Sequence, residues 1–323
     1  MKTKAFMAMA VLALVAAGCN NEETDNWAGE IRLTSGVAVQ TRTNTQAIQI
    51  QNGEEVYVWV DKASVPAQSY INAWKLTAQG DGSFTTGTSQ YYPTDDSDLD
   101  FYALHGNFAS DITEGSTKFP ETGVVHSVEE YQADANMKNY AKSDLLYAVK
   151  KGVERSSDAV NLEFYNMLSK VEVALKSGKG QPELEGATVT IEGTKLKANF
   201  KPDKDDNMGS GEHRLNMITI VDNDNDPTSI IIQTAITKEF TDVTDYAEAV
   251  LLPNQDLKRG DTFIQVRLLS GATFSYKLPY DLTLESGKKY IYKITVNRSG
   301  LSVSSNIQDW DTERTTPGDA TME

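Results

Sequence analysis

Three aspartates in a short polar run have a spacing that could bind a metal ion. Asp222, Asp224 and Asp226 alternate with asparagines, as the first ligands of a calcium-binding loop do. The glycine that such a loop needs is replaced by Pro227, and Gln233 stands where a bidentate acid is expected. The favoured interpretation is a solvated acidic turn between strands, with weak calcium binding as the alternative.

The remaining polar residues form no recognisable catalytic pattern. The three histidines, His105, His126 and His213, lie far apart and none is near a cysteine, which argues against a zinc site. They are expected to be isolated surface or turn residues. The sequence contains no nucleophile elbow, phosphate-binding loop or dinucleotide fingerprint. Paired acids for sugar hydrolysis stay open only because 46 acidic residues always supply candidates. We therefore predict neither enzymatic activity nor a cofactor.

Cys19 is the only cysteine in the sequence, and its position suggests lipid attachment. Lys2 and Lys4 precede an apolar run over residues 5–17, which is short for a membrane span and has the order of a secretory signal peptide. Small residues lead into the cysteine, a context that resembles the lipobox of bacterial lipoproteins. In such proteins the leader is removed and the cysteine is acylated, for example with palmitate. We predict a signal peptide over residues 1–18 and acylation of Cys19.

The segment after the leader, residues 19–28, is largely polar and acidic and is expected to be a flexible tether. It also resembles the acidic export signal of surface-exposed lipoproteins, which stays open as an alternative. Because the leader contains two lysines and no acid, its removal changes the formal charge from −16 to about −18. A surface with this much negative charge repels phosphate backbones, and the sequence has no basic stripe. No nucleic-acid partner is therefore predicted.

Short strands must position these residues, because the dominant hydrophobic period is two. Alternating runs occupy residues 56–60, 171–175 and 189–191. Further runs at 263–269, 272–278 and 290–296 are separated by glycine-containing turns and are expected to be neighbouring antiparallel strands. No long stretch has a convincing helical period. The pattern predicts an all-β protein built from antiparallel β-sandwiches.

The length suggests two domains, each able to bury a core without disulfides. A polar, turn-rich stretch over residues 151–158 separates two apolar runs and provides the preferred boundary, while 177–180 is the alternative. The predicted N-terminal domain covers residues 29–158. The predicted C-terminal domain covers residues 159–323, including a terminal strand and a polar tail.

The first stretch after the tether has the pattern of a strand. Ile31 and Leu33, then Val37 and Val39, alternate with polar or small residues, which predicts a strand that buries one edge of the N-terminal sandwich. Small polar residues follow at 43–46 and predict an exposed loop that a protease can reach.

Stretches spread over nearly the whole chain together resemble the fimbrillin family of bacterial pilus subunits. They are the leader with its cysteine and the sequences at 40–43, 53–59, 91–93, 99–103, 144–148, 162–164, 168–171, 287–290 and 307–310. Each is nonspecific alone, but their order and spacing are distinctive. One departure is Asn166, where many relatives carry a histidine.

The resemblance implies two tandem transthyretin-like antiparallel β-sandwich domains. It also implies a stalk, tip or anchor subunit of a type V pilus, which serves adhesion at the outer membrane. In this family an arginine-specific protease removes the first strand, and a terminal strand of another subunit fills the groove. The expected partners are therefore other pilus subunits, the outer membrane through the lipid, and a host or bacterial surface ligand.

The resemblance assigns roles to residues at both ends of the folded part. Arg42 is the expected protease site, with Arg32 as a rival that lies inside the predicted strand. The exchangeable strand is the one that carries Ile31, Leu33, Val37 and Val39. The donor-strand candidate carries Leu301, Val303, Ile307 and Trp310, although the same stretch could close the second domain of its own chain.

A second function class stays open, a monomeric surface lipoprotein that binds glycan or host protein. Aromatic residues could form a sugar-binding face, but strand packing explains them equally well. These candidates are Trp74, Tyr91, Tyr92 and Tyr131.

Replacement of Cys19 by serine is expected to abolish lipid attachment and surface delivery while the fold is retained, because the substitution removes the acylated atom alone. Detergent phase partitioning of the wild-type and Cys19→Ser chains measures this. A Cys19→Ser chain that still enters the detergent phase and reaches the surface would show that the lipoprotein interpretation is wrong.

Overall fold

The computed structural model describes residues 27–37, 50–64, 66–108, 111–134, 137–221, 226–243 and 246–310. In these ranges the chain forms 20 β-strands, two six-residue helices and one 3-10 turn. The all-β prediction is confirmed, since short alternating strands account for nearly all of the regular structure.

The elements of the first half are β1 Leu33–Val37, β2 Glu55–Lys62, β3 Gln68–Ala78, β4 Phe84–Thr85, β5 Leu99–His105, β6 Val124–Ser127, α1 Lys138–Ser143, β7 Leu146–Val153 and β8 Val160–Asn166. Those of the second half are β9 Ser169–Ser177, β10 Thr188–Thr194, β11 Lys197–Phe200, α2 Gly211–Asn216, β12 Ile218–Ile220, β13 Thr228–Ile232, the 3-10 turn Phe240–Asp242, β14 Ala247–Leu251, β15 Asp256–Leu257, β16 Thr262–Arg267, β17 Thr273–Lys277, β18 Leu282–Thr283, β19 Lys288–Asn297 and β20 Gly300–Asp309.

A seven-stranded sheet organises the first half, with the strand order β1-β8-β7-β5-β2-β3-β4. Alternate side chains of these strands point to one side and form a single core, to which β2 contributes Val56, Val58 and Val60. β5 contributes Phe101 and Ala103 to the same core. Because the strands of one curved sheet supply almost all of this core, the sheet must wrap around it.

The opposite face of the seven-stranded sheet is also buried. Trp59, Tyr102 and Tyr147 point to this face and join a second core that continues through the second half of the chain. β6 pairs with β11 over four residue pairs, which links the covering segments of the two halves. A sheet that is buried on both faces explains why β5 is almost continuously apolar.

Two four-stranded sheets form most of the second half, with the orders β13-β10-β16-β17 and β14-β9-β19-β20. β16 and β17 form the antiparallel pair expected from the turn between them. The expectation that β19 is their neighbour is wrong, because β19 lies between β9 and β20 in the other sheet. A register of eight residue pairs with β9, running parallel, replaces the predicted hairpin pairing.

The strands around the predicted domain boundary remain in the first sheet. β8 begins at Val160, after the boundary predicted between residues 158 and 159, and it pairs with β1 and β7. The division into domains and the tandem transthyretin-like arrangement stay predictions.

Trp310 fixes the end of β20, since the residue is 2% exposed and its backbone N–H donates to the Gly287 carbonyl at 2.6 Å. Replacement of Trp310 by alanine is expected to lower the free energy of unfolding by about 3–5 kcal/mol, because it leaves a large cavity. Ile307→Ala is the matched control, with an expected loss below about 1 kcal/mol, since Ile307 is 47% exposed. Equal losses in urea unfolding would contradict this assignment.

Candidate functional site

β1 pairs with β8 along one edge and is bridged at its other edge to the segment that carries β4, which closes the seven-stranded sheet. On one side it runs parallel to β8 over five residue pairs, beginning with Leu33 opposite Val160. On the other side it meets the segment that carries β4, where the Ser35 N–H donates to the Gly82 carbonyl at 2.8 Å. Removal of β1 would therefore leave two unpaired strand edges facing one groove.

The inward-pointing side chains of β1 and of Ile31, two residues before it, help to fill the core of the sheet. Ile31, Leu33 and Val37 are 3%, 8% and 6% exposed, as the alternating pattern predicts. Burial of each such side chain contributes about 1.5–3 kcal/mol. Ser35 occupies the inward position between them and is also buried. Val39, the fourth residue of the predicted strand, lies outside the described residues.

Residues upstream of β1 are held by an aromatic and cationic contact. The Trp27 ring meets the Tyr92 ring edge to face at 6.0 Å, and the Arg155 guanidinium lies 5.1 Å from the Trp27 ring centre. Gly29 allows this approach, because a Cβ at that position would lie 2.6 Å from an Arg155 nitrogen. The Gly29 carbonyl also accepts a hydrogen bond from the Tyr92 N–H at 2.8 Å. The segment from Trp27 to β1 is thus anchored at two separate places.

Of the two candidate protease sites, the structure describes Arg32 but not Arg42. Arg32 has an exposed side chain, but its carbonyl accepts a hydrogen bond from the Val160 N–H at 2.8 Å. A protease must draw its substrate into an extended, unpaired conformation, so the Arg32 peptide is poorly available while β1 is in place. Arg42 and the predicted lipid-bearing Cys19 lie outside the described residues.

The C-terminal donor candidate forms part of its own domain in this structure. β20 pairs with β19 over ten residue pairs, and its other edge has no strand partner among the described residues. Leu301 and Val303 are half-buried against the core, whereas Ile307 is exposed. The described conformation therefore corresponds to a closing strand, and a donor role requires β20 to leave β19.

Alternate residues of the stretch that ends in β1 and of β20 follow the same order in the sequence. The β1 stretch presents Ile31, Leu33, Ser35 and Val37, and the β20 stretch presents Leu301, Val303, Ser305 and Ile307. In both series the third residue is serine and the other three are leucine, isoleucine or valine. Successive members of each series are two residues apart in the sequence. Taken one at a time, the two stretches do not reveal this repetition, although the signal lies in the sequence.

A buried charge cluster lies beneath the end of β20. The Lys170 ammonium is 2.8 Å from a Glu248 carboxylate oxygen and 3.5 Å from one of Glu172, and all three side chains are at most 3% exposed. Burial lowers the pKa of Lys170, but the Glu248 and Glu172 carboxylates outweigh this effect and raise it. The same ammonium lies 5.7 Å from the Trp310 ring centre, so β20 covers a charged cluster as well as apolar residues.

The prediction that the histidines are surface or turn residues is wrong for two of the three. His105 is buried, and its ring nitrogens lie 2.9 Å from the Glu55 carbonyl and 3.2 Å from the Ala141 carbonyl. His126 is also buried, which lowers its pKa to about 3 and keeps the ring neutral. Only His213, on α2, is partly exposed. The buried rings satisfy backbone groups, a structural use that spacing alone could not reveal.

The four aromatic residues considered for a sugar-binding face do not form one exposed surface. Tyr91 and Tyr131 are 48% and 49% exposed, but Trp74 and Tyr92 are each only 3% exposed. The two buried rings point into the core of the seven-stranded sheet, because they lie at inward positions. Of the two alternatives left open by the sequence, strand packing therefore holds for Trp74 and Tyr92.

The acidic run considered for calcium is only partly described. Asp226 and Pro227 are exposed, whereas Asp222 and Asp224 lie outside the described residues. Within the described part of the chain, no group of three or more histidine, cysteine or acidic side chains is arranged to hold a metal ion. In the same ranges no helix has the length and apolar character needed to cross a membrane.

Comparison with known proteins places these features in a family context. The model of the family described as "Fimbrillin-like" matches residues 41–310. The "Putative fimbrium subunit Fim1C" of Bacteroides uniformis is 24% identical over 333 residues, which cover 98% of this chain and 97% of that protein.

Solved structures show the same fold. A crystal structure of a "putative cell adhesion protein" from Bacteroides uniformis has a TM-score of 0.59 at 21% identity, and covers 87% of this chain and 98% of that one. Another protein with the same description, from Bacteroides ovatus, has a TM-score of 0.60 at 17% identity, with 88% and 99% covered. At these identities the likeness concerns the fold alone.

Replacement of Gly29 by alanine tests the anchor upstream of β1. Gly29 and Gly53 have φ of 88° and 90°, so an alanine at either costs roughly 1–2 kcal/mol of backbone strain. Only at Gly29 would the new Cβ displace Arg155 from Trp27, because nothing lies within 4 Å of it at Gly53. Amide hydrogen exchange of residues 33–37 should therefore accelerate in Gly29→Ala and stay unchanged in Gly53→Ala. Equal protection in both variants would mean that the anchor does not hold β1.

Proposed function

Because the chain belongs to the fimbrillin-like family, we propose that it is a structural, non-enzymatic subunit of a cell-surface fimbria that serves adhesion. The observation that carries the proposal is the position of β1, a strand near the N-terminus that is paired on both edges and fills a closed sheet. Such a strand is suited to replacement by a strand of another subunit, because a substitute recovers the same hydrogen bonds and buried surface.

Cleavage after Arg42 would make β1 exchangeable. While the chain is intact, β1 is tethered to β2 and rebinds at an effective concentration in about the millimolar range. Once the tether is cut, only hydrogen bonds and apolar contacts hold the strand, and a competing strand can replace it. Arg32 is a poorer site on this mechanism, since its carbonyl takes part in pairing with β8.

The repeated pattern supports a specific register for the incoming strand. Residues 301–307 of one subunit would lie where residues 31–37 of the next subunit lay, in the same direction along β8. Leu301, Val303 and Ile307 would then fill the places of the three buried apolar residues. Ser305 would take the place of Ser35, whose buried hydroxyl donates to the Gly82 carbonyl at 3.4 Å.

A donor role requires β20 to separate from β19. That separation breaks the ladder with β19 and uncovers Trp310 and the Lys170 cluster. Exposure of apolar surface opposes the separation of β20 from β19. Hydration of the buried ions offsets part of the free energy that this separation costs. Insertion into a neighbouring groove restores strand pairing, so the exchange is a competition between an intramolecular and an intermolecular partner.

The same cleavage would separate the subunit from the membrane. The proposed lipid is on Cys19, and residues 1–42 contain both that cysteine and β1. An uncleaved chain would remain an outer-membrane lipoprotein with a filled groove, and a cleaved chain would become free to assemble. A chain would thus be either anchored in the membrane or able to assemble, but not both.

The protease step predicts the behaviour of a single variant. Trypsin is expected to cut the folded precursor first after Arg42, in the small, polar sequence that comes after β1 in the chain, and Arg42→Ala is expected to leave monomers that do not assemble. Arg32→Ala is the control and should assemble normally. Electron microscopy of the treated proteins measures assembly, and normal filaments from Arg42→Ala would refute protease triggering at this site.

The proposed register can be tested with a peptide. A synthetic peptide of residues 300–309 should bind to the trypsin-treated chain and displace the cleaved strand, because its inward pattern matches that of β1. The control peptide has residues 301 and 302, 303 and 304, and 307 and 308 exchanged, which moves every apolar side chain to the outer face. Native mass spectrometry measures the complex, and equal binding of both peptides would rule out the register.

A further inference from the structure

β20 is the edge strand of its four-stranded sheet, and its outer edge is open. On the inner side β20 pairs with β19 over ten residue pairs without a shift of register. On the outer side its backbone has no strand partner among the described residues. The N–H and C=O groups of an open edge form a template on which a strand of another chain can pair. An open edge of this length therefore needs either a protective feature or a partner.

β20 lacks the features that usually protect an edge strand, which are short length, charged side chains, proline and bulges. Residues 300–308 contain no charged residue and no proline. The other four-stranded sheet is different at both of its edges. There, β17 has only five residues, ends in the exposed Lys277 and has a shift in its register with β16. β13, at the opposite edge, is bridged to Tyr131. This contrast favours a partner strand on β20.

The surroundings of β20 leave room for such a partner. A cavity of about 560 Å³ lies against residues 301–304 of β20 and residues 275–277 of β17, so the two strands do not close on each other there. Lys277 and Lys293 line this cavity, and its lining in the described part of the chain includes no acidic residue. The whole chain has a formal charge of −16, so this edge repels another acidic protein less than most of the surface does.

The charges at the two ends of the open edge indicate which strand fits it. The first charged residue before the uncharged stretch is Arg298, and the first one after it is Asp309. Arg298 is exposed, and the Asp309 side chain is 56% exposed even though it also contacts Lys288. When two copies of one strand lie antiparallel, the start of each lies beside the end of the other. Arg298 of each copy then approaches Asp309 of the other, so self-pairing brings opposite charges together at both ends.

A register centred on Ser304 also matches the side chains of the two copies. Ser304 then lies opposite its own counterpart, and Leu301 lies opposite Ile307 of the second copy. Opposite residues of an antiparallel pair are on the same face, so Leu301 covers Ile307, which is 47% exposed in the single chain. On the other face Ser302 lies opposite Asn306, which places polar beside polar. The strand is therefore complementary to itself on both faces.

We propose that β20 binds β20 of a second copy of this chain, antiparallel and centred on Ser304, and so joins two four-stranded sheets into one of eight strands. Each copy offers the same surface, so the contact closes as a symmetric dimer. β20 stays paired with β19 in this dimer, which therefore differs from strand exchange and goes beyond the proposed structural role. One consequence rests on the proposed function: the dimer occupies the donor strand, so it keeps uncleaved subunits from donating that strand.

Sedimentation velocity of the full Cys19→Ser chain, without protease, tests the dimer. A monomer–dimer equilibrium with a Kd of about 1–100 µM is expected, because one pair of strands buries less area than a standard interface. Ser304→Lys should weaken dimerisation at least about tenfold, since it places like charges directly opposite each other. Ser270→Lys adds the same charge in the exposed turn between β16 and β17 and is the matched control, which should dimerise as the parent chain does.

Disulfide formation tests the register of the two strands. In the Cys19→Ser chain, Ser304→Cys should give a covalent dimer on mild oxidation, since directly opposite residues lie within reach of a disulfide. Ser302→Cys should not, because the two copies of residue 302 are four positions apart along the paired strands, a distance of roughly 13 Å.

Three results would overturn the proposal. They are a monomer at every concentration up to about 300 µM, well above the expected range for a small interface, unchanged dimerisation of Ser304→Lys, and equal disulfide formation by the two cysteine variants. Thermal unfolding of each variant shows whether a lost dimer reflects a lost fold. Because the chain is not cleaved and β1 stays in place, these results are independent of strand exchange.

Discussion

Closure of the seven-stranded sheet by β1 is the constraint on which the other features of this protein depend. The core of that sheet is built almost entirely from its own strands, so a strand must lie between β8 and the β4 segment to seal it. β1 meets this need with hydrogen bonds on both edges and with Ile31, Leu33 and Val37 inside. The sheet therefore requires a strand between β8 and the β4 segment, whether that strand is β1 or a replacement.

The need for a closing strand links folding to the proposed assembly. A strand in the middle of a sheet is normally a permanent part of the fold, but β1 is near a chain end and is followed by a segment with a candidate protease site. The C-terminal stretch presents the same inward series, so one chain carries both a groove and a strand that matches it. Because the groove and the matching strand are at different places on the subunit, the proposed contact would be head-to-tail, the kind that can build an open filament.

Local structure was largely predictable from the sequence, whereas partners across the chain were not. Alternation identified β2, β9 and β10, since a half-buried strand imposes a period of two on its own residues. It could not reveal that β19 pairs with β9, because pairing depends on which strands meet in the folded chain. For the same reason His105 and His126 were expected outside and are inside, where they bond to carbonyl groups supplied by distant segments. Trp74 and Tyr92 show the same limit, since the sequence does not reveal whether an aromatic side chain points into the core or into solvent.

At the candidate site too, local features were predictable from the sequence and long-range contacts were not. The inward series of β1 followed from its spacing, and Ile31, Leu33 and Val37 are buried as expected. The pairing with β8 and the contact of Trp27 with Arg155 join residues more than a hundred positions apart, and no local pattern encodes them. The match between residues 31–37 and 301–307 was present in the sequence, but its meaning depends on knowing that β1 is paired on both edges.

Site-specific disulfide formation in filaments tests the central claim most directly. The Thr34 hydroxyl lies 3.4 Å from the Asn161 side chain, so in the proposed register residue 304 of a neighbouring subunit faces residue 161. A chain carrying Asn161→Cys and Ser304→Cys should form disulfide-linked multimers after assembly, because paired strands place such residues within reach of a disulfide. Asn161→Cys with Ser302→Cys, displaced by two residues, should not. A ladder of covalent multimers is expected from the first pair alone. Absence of these multimers from assembled filaments, or equal cross-linking by both pairs, would contradict strand exchange in this register.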